Sequence, residues 1–237
     1  MKILAVDSSG LVASVAYLED GILKGVLSYN NQKTHSQTLM PMIDELVKNL
    51  NIDLNNIDYL AVSNGPGSFT GLRIGVATIK GLGLSIDKEV VGVPTLESLA
   101  FNWQGADGVV CPIMDARRSQ VYAAAYKFTQ IPESQCIIEQ DSYMIEELCE
   151  KLNALGEKVY FAGDGVPVYR DYLEKNLKVE YQFPSAANCY QNAANIAVLA
   201  EMYANRGEAQ NARDLTPVYL RKPQAERERE EMLNGKD

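Results

Sequence analysis

The run Asn64-Gly65-Pro66-Gly67-Ser68-Phe69-Thr70-Gly71-Leu72-Arg73-Ile74-Gly75 carries the sharpest chemical signal in this sequence. It leaves a predicted strand and opens a predicted helix. Glycines in such a turn let backbone N–H groups point outward. The helix N-terminus adds about half a positive charge, so a turn of this kind can bind phosphate. It is not a Walker loop, because no Lys follows the glycines. Its Gly-x-Gly-x-x-x-Gly spacing is one residue off the dinucleotide fingerprint, and it follows the fourth strand rather than the first. A tight turn with close helix packing is the plainer reading. Two other turns matter beside it. Asp7-Ser8-Ser9-Gly10 puts a carboxylate at the end of the first predicted strand, and Met114-Asp115-Ala116-Arg117-Arg118-Ser119 places bulky and charged side chains in a later turn. His35 is the only histidine, which removes any site needing two histidines on one helix face and leaves no Ser-His-Asp set evident from spacing. Set between Thr34 and Ser36, it reads as a helix-start residue.

The elements that must hold these turns follow one order twice. In the first half, strands are expected at Lys2–Asp7, Leu11–Leu18 and Ile22–Tyr29, with Asp20-Gly21 as a hairpin signal. A helix follows at His35–Leu50, where Leu39, Ile43, Leu46 and Leu50 recur at helical period. Pro41 belongs to its first turn or makes a kink. Then come strand Tyr59–Ser63, helix Phe69–Leu84, strand Val90–Val93 and a helix from Thr95. The second half gives strands Val109–Met114, Gln120–Phe128 and Cys136–Gln140, and helix Met144–Leu155. Strand Lys158–Ala162, helix Val168–Leu177, strand Val179–Phe183 and helix Gln191–Asn205 complete it. Gln104–Gly108 is the seam. The sequence thus predicts an N-terminal lobe at 1–104, a C-terminal lobe at 105–221 and a charged tail at 222–237.

A duplicated βββαβαβα unit is the ribonuclease-H-like, actin-type architecture, with two lobes that each carry a five-stranded mixed sheet flanked by helices. In actin-type phosphotransferases a carboxylate at the end of the first strand faces a metal-nucleotide, and glycine-rich turns from both halves hold phosphate. Here the first-half turns are present, whereas Asp115–Ser119 fills the second-half position with side chains. The nucleotide cleft is half-built, and Asp7–Gly10 reads more simply as a hairpin turn.

Two helices of the first half are unusual. His35–Leu50 carries Leu39, Met40, Met42, Ile43, Leu46, Val47 and Leu50, a wider apolar face than the three or four positions per two turns that one sheet requires. Phe69–Leu84 contains Gly71, Gly75, Gly81 and Gly83, each costing roughly 1 kcal/mol of helix propensity against Ala. Close approach of another backbone offsets that cost, either within this chain or from a second one.

Composition bounds the rest. The 46% hydrophobic content is that of a folded protein, and 22 Lys+Arg against 31 Asp+Glu give a net charge of −9. An acidic body disfavours autonomous nucleic-acid binding, since phosphate neutralisation supplies most non-specific affinity. The four cysteines form no Cys-x-x-Cys pair. Together with the absence of an apolar leader or membrane-length run, they point to reduced thiols in a cytoplasmic protein.

Asp7-Ser8-Ser9, His35-Ser36-Gln37-Thr38-Leu39-Met40-Pro41, the Asn64–Gly75 run, Val93-Pro94-Thr95-Leu96-Glu97-Ser98, Met114-Asp115-Ala116-Arg117-Arg118 with Gln120-Val121-Tyr122, and Pro217-Val218-Tyr219-Leu220-Arg221 together resemble the bacterial TsaB (YeaZ) family over nearly the whole chain. The resemblance implies a non-catalytic subunit of the complex that places threonylcarbamoyl on the adenosine next to the anticodon of tRNAs reading codons that begin with A. In that complex a separate enzyme supplies threonylcarbamoyl-adenylate. The related TsaD subunit, with its own metal, performs the transfer, and a TsaE ATPase binds the pair. The implied partners are a TsaD-like catalytic subunit and a TsaE-like ATPase, with tRNA reached only through the complex, a homodimer when alone, and no membrane. No cofactor or metal is implied for this chain itself. Asp7, Ser8, Ser9, Gly10, Gly65, Gly67 and Ser68 would be vestigial phosphate turns. Leu39, Met42, Ile43, Leu46, Val47 and Leu50 of the first helix, with Gly71, Leu72, Gly75 and Ile79 of the second, are expected to meet TsaD. An active actin-type ATP-dependent phosphotransferase is the alternative, favoured by the first-half turns and opposed by Asp115–Ser119. A peptidase is opposed by the single histidine.

The charge balance yields a direct expectation. The isolated chain binds tRNA weakly at physiological salt, and that binding falls steeply as salt rises. A filter-binding titration giving nanomolar, salt-insensitive affinity contradicts it.

Overall fold

The computed structural model describes residues 1–31, 33–130 and 133–221. The charged tail expected at 222–237 lies outside them. The first half comprises β1 (Lys2–Asp7), β2 (Ala13–Glu19), β3 (Ile22–Tyr29), α1 (His35–Leu50), β4 (Tyr59–Gly65), α2 (Phe69–Ile86), β5 (Val90–Pro94) and α3 (Thr95–Ala100). The second comprises β6 (Val109–Arg117), β7 (Gln120–Gln130), β8 (Glu133–Met144), α4 (Ile145–Leu155), β9 (Val159–Ala162), α5 (Gly165–Asn176), β10 (Tyr181–Gln182) and α6 (Ala193–Asn205). The sheets run β3-β2-β1-β4-β5 and, in the equivalent sense, β8-β7-β6-β9-β10. In each, the central strand pairs antiparallel with the second and parallel with the fourth. The duplication expected from the element order is present.

Strand alternation explains why β1 reads as an unbroken apolar run. Successive side chains face opposite sides of a sheet. Leu4 and Val6 meet α1 and α2 through Leu39, Met42, Ile43, Leu46, Val76 and Ile79. Ile3 and Ala5 meet α6 through Ile196, Ala197, Leu199 and Ala200. The second sheet is covered likewise. Cys111, Ile113 and Phe161 pack on α4 and α5, while Val110, Ala124 and Tyr126 pack on Leu96, Leu99 and Ala100 of α3. Each half therefore lends its last helix to the other half's sheet. The division near residue 104 separates the sheets but not their helical layers.

Several boundaries differ from expectation for local reasons. Strand two begins at Ala13 because Leu11 stands 57% exposed in the preceding turn. The third strand of the second half runs twelve residues, Glu133–Met144, well past the apolar Cys136-Ile137-Ile138 that marks it in the sequence. Helix α5 starts at Gly165, earlier than expected, since Pro167 in the first turn needs no N–H partner. Helix α6 starts at Ala193, where the Asn192 side chain accepts from the Ala194 N–H and caps it. The strand at Val179–Phe183 shrinks to Tyr181–Gln182. Pro41 lies well inside α1, on its exposed side.

Leu199 is fully buried between α6 and the first sheet. Leu199→Ala should destabilise the protein by about 2–5 kcal/mol, because a cavity adds to the lost transfer free energy. Urea denaturation would measure this. A loss under about 1 kcal/mol would mean that α6 is not a structural layer of the first lobe.

Candidate functional site

A cleft of about 410 Å³ lies between the lobes, with Ser9, Gly10, Ser68 and Phe69 on one wall and Asp115, Arg117 and Asp164 on the other. The first-lobe wall is built from the two expected turns, and they are locked onto one another. The Ser68 N–H donates to the Ser9 carbonyl at 2.7 Å. The Gly71 N–H donates to Ser68 Oγ at 3.2 Å, and the Leu72 N–H donates to the Ser68 carbonyl at 2.8 Å. Ser8 Oγ donates to the Gly71 carbonyl at 2.9 Å. The Ser68 and Gly71 N–H groups, which a phosphate turn would offer to a ligand, already have partners inside the chain.

The glycines make that contact possible. A Cβ on Gly67 would lie 2.4 Å from the Ser9 carbonyl oxygen, and one on Gly71 would lie 2.1 Å from that of Ser8. A Cβ on Gly75 would sit 2.4 Å from Ser8 Oγ. Only residues without a side chain let the β1–β2 turn rest on α2, so close packing within the chain accounts for three of the glycines in the run. Gly10 lies under the Gln191 amide, and its carbonyl is held by His35 Nε2 at 2.8 Å. His35 therefore pins the turn to the start of α1.

Asp7 does not reach the cleft. It is completely buried, and its Oδ1 accepts from the Ser9 N–H at 2.9 Å, Ser9 Oγ at 2.6 Å and Ser63 Oγ at 2.7 Å. Burial pushes its carboxyl above the usual range, and the bonds from Ser9 and Ser63 oppose that. Gly65, with φ of 132°, receives the C-terminal segment, where a Cβ would lie 2.2 Å from the Val218 carbonyl oxygen.

The second-lobe wall carries carboxylates. The Asp115 N–H reaches Asp164 Oδ1 at 3.4 Å, and Asp115 Oδ1 accepts from the Arg117 N–H at 2.9 Å and the Tyr169 hydroxyl at 3.2 Å. Burial, reinforced by the Asp115 charge, pushes the Asp164 carboxyl up to about 6. Burial beside Asp115 pushes the Tyr169 hydroxyl up to about 12. The β6–β7 turn extends this wall through Arg117, Arg118 and Ser119, all with positive φ. Each costs roughly 1–2 kcal/mol for a residue with a Cβ.

The side chains expected to meet a partner are core instead. Leu39, Met42, Ile43, Leu46 and Ile79 are at most 4% exposed and fill the first lobe's own interior, and Leu72 is buried as well. Val47 and Leu50 are packed partly against it. The wide apolar face of α1 follows from its position over both the sheet and α2. What α1 and α2 leave outside is different: Met40 at 47% exposure, Leu84 at 51%, and the exposed Ala77 and Gly81. Gly83 is explained by Ala212 and Val90 close to it, but a Cβ on Gly81 would meet nothing within 4 Å. Sequence reading also passed over Asp164 and Tyr169. The Gly163-Asp164-Gly165 turn was the available signal, but nothing in it shows that Asp115 comes beside it.

The two sheets, the exchanged helices and the interlobe cleft define a duplicated, actin-type protein whose first-lobe turns close on themselves. A family model described as "TsaD: tRNA N6-adenosine threonylcarbamoyltransferase" matches residues 16–229. The tRNA threonylcarbamoyladenosine biosynthesis protein TsaB of Bacillus subtilis is 32% identical over 95% of this chain and 96% of its own length. That of Haemophilus influenzae is 30% identical over 93% and 94%. A solved structure from Pseudomonas aeruginosa, described as an uncharacterized protein with similarity to peptidase YEAZ, superposes with a TM-score of 0.80. It is 29% identical and covers 93% of this chain and 99% of that one. The chain belongs to the TsaB (YeaZ) family.

The buried Asp164 sets a pH dependence. Its folded pKa near 6 lies above the ordinary 3.8. The folded state therefore holds the proton more tightly, and stability falls as pH rises from about 4 to about 6. Asp164→Asn should remove that penalty and raise stability at pH 7.5 by about 1–3 kcal/mol, with the two proteins converging below pH 4. Melting temperature against pH tests this, and parallel curves for the two proteins would contradict it.

Proposed function

We propose that this chain is a non-catalytic partner subunit of the complex that forms N6-threonylcarbamoyladenosine next to the anticodon of tRNAs reading codons that begin with A. It binds and supports a TsaD-like catalytic subunit and helps recruit a TsaE-like ATPase. It reaches tRNA as part of that assembly, works in the cytoplasm, and self-associates when its partner is missing. One observation carries the non-catalytic reading: the first-lobe turns lie on each other, with the Ser68 N–H spent on the Ser9 carbonyl, the Ser9 N–H spent on Asp7, and Asp7 sealed behind Ser9 and Ser63. Asp7, Ser8, Ser9, Gly10, Gly65, Gly67 and Ser68 then act as interior structure in place of a phosphate cradle. Across the cleft the Asp164 carboxylate also repels phosphate, while Asp115 is paired with Arg117. Among the described residues no helix is long and apolar enough to cross a membrane, which accords with a subunit of a tRNA-modifying assembly.

The outer surface of α1 and α2 supports the partner role, through residues other than those the sequence suggested. Gly81 sits mid-helix, exposed, with no neighbour that needs its missing side chain. Ala77 and Leu84 lie four and three residues away on the same face, and Met40 is the exposed large apolar residue of α1. A second helix can approach such a surface closely.

Reconstitution tests this function. The chain alone should neither modify tRNA nor turn over ATP. Adding TsaD-like and TsaE-like subunits with the adenylate-forming enzyme should give modified tRNA. Gly81→Leu should stabilise the free protein by about 0.5–1 kcal/mol through helix propensity and yet abolish co-elution with the TsaD-like subunit. Full pairing by this folded variant would place the interface elsewhere. ATP turnover by the chain alone would favour the phosphotransferase reading.

A further inference from the structure

The turn between β6 and β7 is built against its own backbone preference. Arg117, Arg118 and Ser119 have φ of 65°, 56° and 58°, the region that glycine, and next asparagine and aspartate, occupy with least strain. A two-residue hairpin of this hand is most readily made by Asn-Gly, yet none of these three residues is of that kind. Such strain persists only where the surroundings hold it, and it marks positions kept for their side chains. The surroundings here are specific. Asp115 Oδ1 accepts from the Arg117 N–H at 2.9 Å, and Arg221 Nη1 donates to the Ala116 carbonyl at 2.6 Å. What the turn presents is Arg117, whose side chain is 86% exposed and whose Nε lies 3.8 Å from Asp115 Oδ2.

The C-terminal segment that holds this turn also holds a second arginine. The Val218 N–H donates to the Asn64 carbonyl at 2.7 Å, and the Tyr219 ring stacks on Phe69 with centroids 4.8 Å apart. The Arg73 guanidinium lies 3.8 Å over the Phe69 ring, and its Nε donates to the Tyr219 hydroxyl at 3.1 Å. Among the described residues Arg73 has no carboxylate partner. Phe69 and Arg117 line the same cleft mouth from opposite lobes.

We infer that Arg73 and Arg117 form an anion-binding rim at the cleft mouth whose ligand is the phosphodiester backbone of RNA. The inference rests on the reading of this chain as part of a tRNA-modifying assembly. A guanidinium held over an aromatic ring keeps its planar fork ready for phosphate oxygens and loses little rotamer freedom on binding. The Phe69–Tyr219 pair beside it offers the stacked surface on which unpaired RNA bases rest, a feature that an acidic peptide would not use. The net charge of −9 confines attraction to this local patch, so the rim adds to binding by the assembly and gives the free chain little affinity of its own.

The test measures tRNA affinity of the complete assembly across a range of salt concentrations, with wild-type chain, Arg73→Gln and Arg117→Gly. Each variant should bind several-fold more weakly, with a salt slope shallower by about 1. The free Arg117→Gly chain should melt no lower than wild type, because glycine accepts the positive φ without strain. Wild-type affinity and slope in both variants would overturn the inference. So would loss of pairing with the TsaD-like subunit, measured by size exclusion without tRNA, since the rim would then be a protein contact. If the wild-type chain neither pairs nor supports modification, the proposed function fails first and the rim falls with it.

Discussion

Each sheet of this protein is apolar on both faces, and neither half of the chain covers both faces of its own sheet. That constraint organises the molecule. Helices α1 and α2 cover one face of the first sheet, and α4 and α5 cover one face of the second. The remaining faces are closed reciprocally, with α6 on the first sheet and α3 on the second. Burying apolar side chains at about 25 cal/mol per Å² makes such an exchange strongly favourable. It also fixes the lobes beside one another, and the interlobe cleft follows as the space that remains where the strand ends face each other.

Within that frame the glycine run acts as a packing device. Removing side chains at positions 67, 71 and 75 lets the turn after β1 lie directly on the N-terminal part of α2. Once it lies there, N–H groups that a phosphate would have bound are taken by Ser9 and Ser68. The same contact buries Asp7 under hydroxyls and withdraws its carboxylate from the cleft. The opposite wall then carries Asp115 and Asp164, and the raised pKa of Asp164 reflects its burial first and the neighbouring Asp115 charge with it. These features together close the first-lobe turns on one another and leave carboxylates on the facing wall.

The C-terminal segment ties those surfaces together. Gln210 bridges to Val90, Leu215 enters the first core, Val218 bonds Asn64, and Arg221 crosses to Ala116 in the other lobe. A residue on the outside of α2, Arg73, and a turn of the second lobe are thereby linked through a few side chains. The outer side of α2 and the wall of the cleft are joined through this short path.

Local pattern determined the element order, the repeat and the fold class. Helical spacing in Leu39–Leu50, the Asp20-Gly21 hairpin and the strand-to-glycine-turn-to-helix run are short-range signals that their own residues carry. That the turn after β6 carries side chains in place of glycines was also legible, in Asp115-Ala116-Arg117-Arg118-Ser119. Which way an apolar residue points was not legible. The same wide face on α1 serves a partner or a core equally well, and only the position of α1 over sheet and α2 made it core. The glycines of α2 looked alike in sequence, yet Gly71 and Gly75 meet the turn after β1, Gly83 meets Ala212 and Val90, and Gly81 meets nothing. Nothing local brings Asp164 to Asp115, Tyr219 to Phe69 or Arg221 to Ala116, since each pair joins residues far apart in the chain. Sequence fixes such contacts only through the whole fold, because close packing admits one arrangement of the two lobes and no short segment contains it.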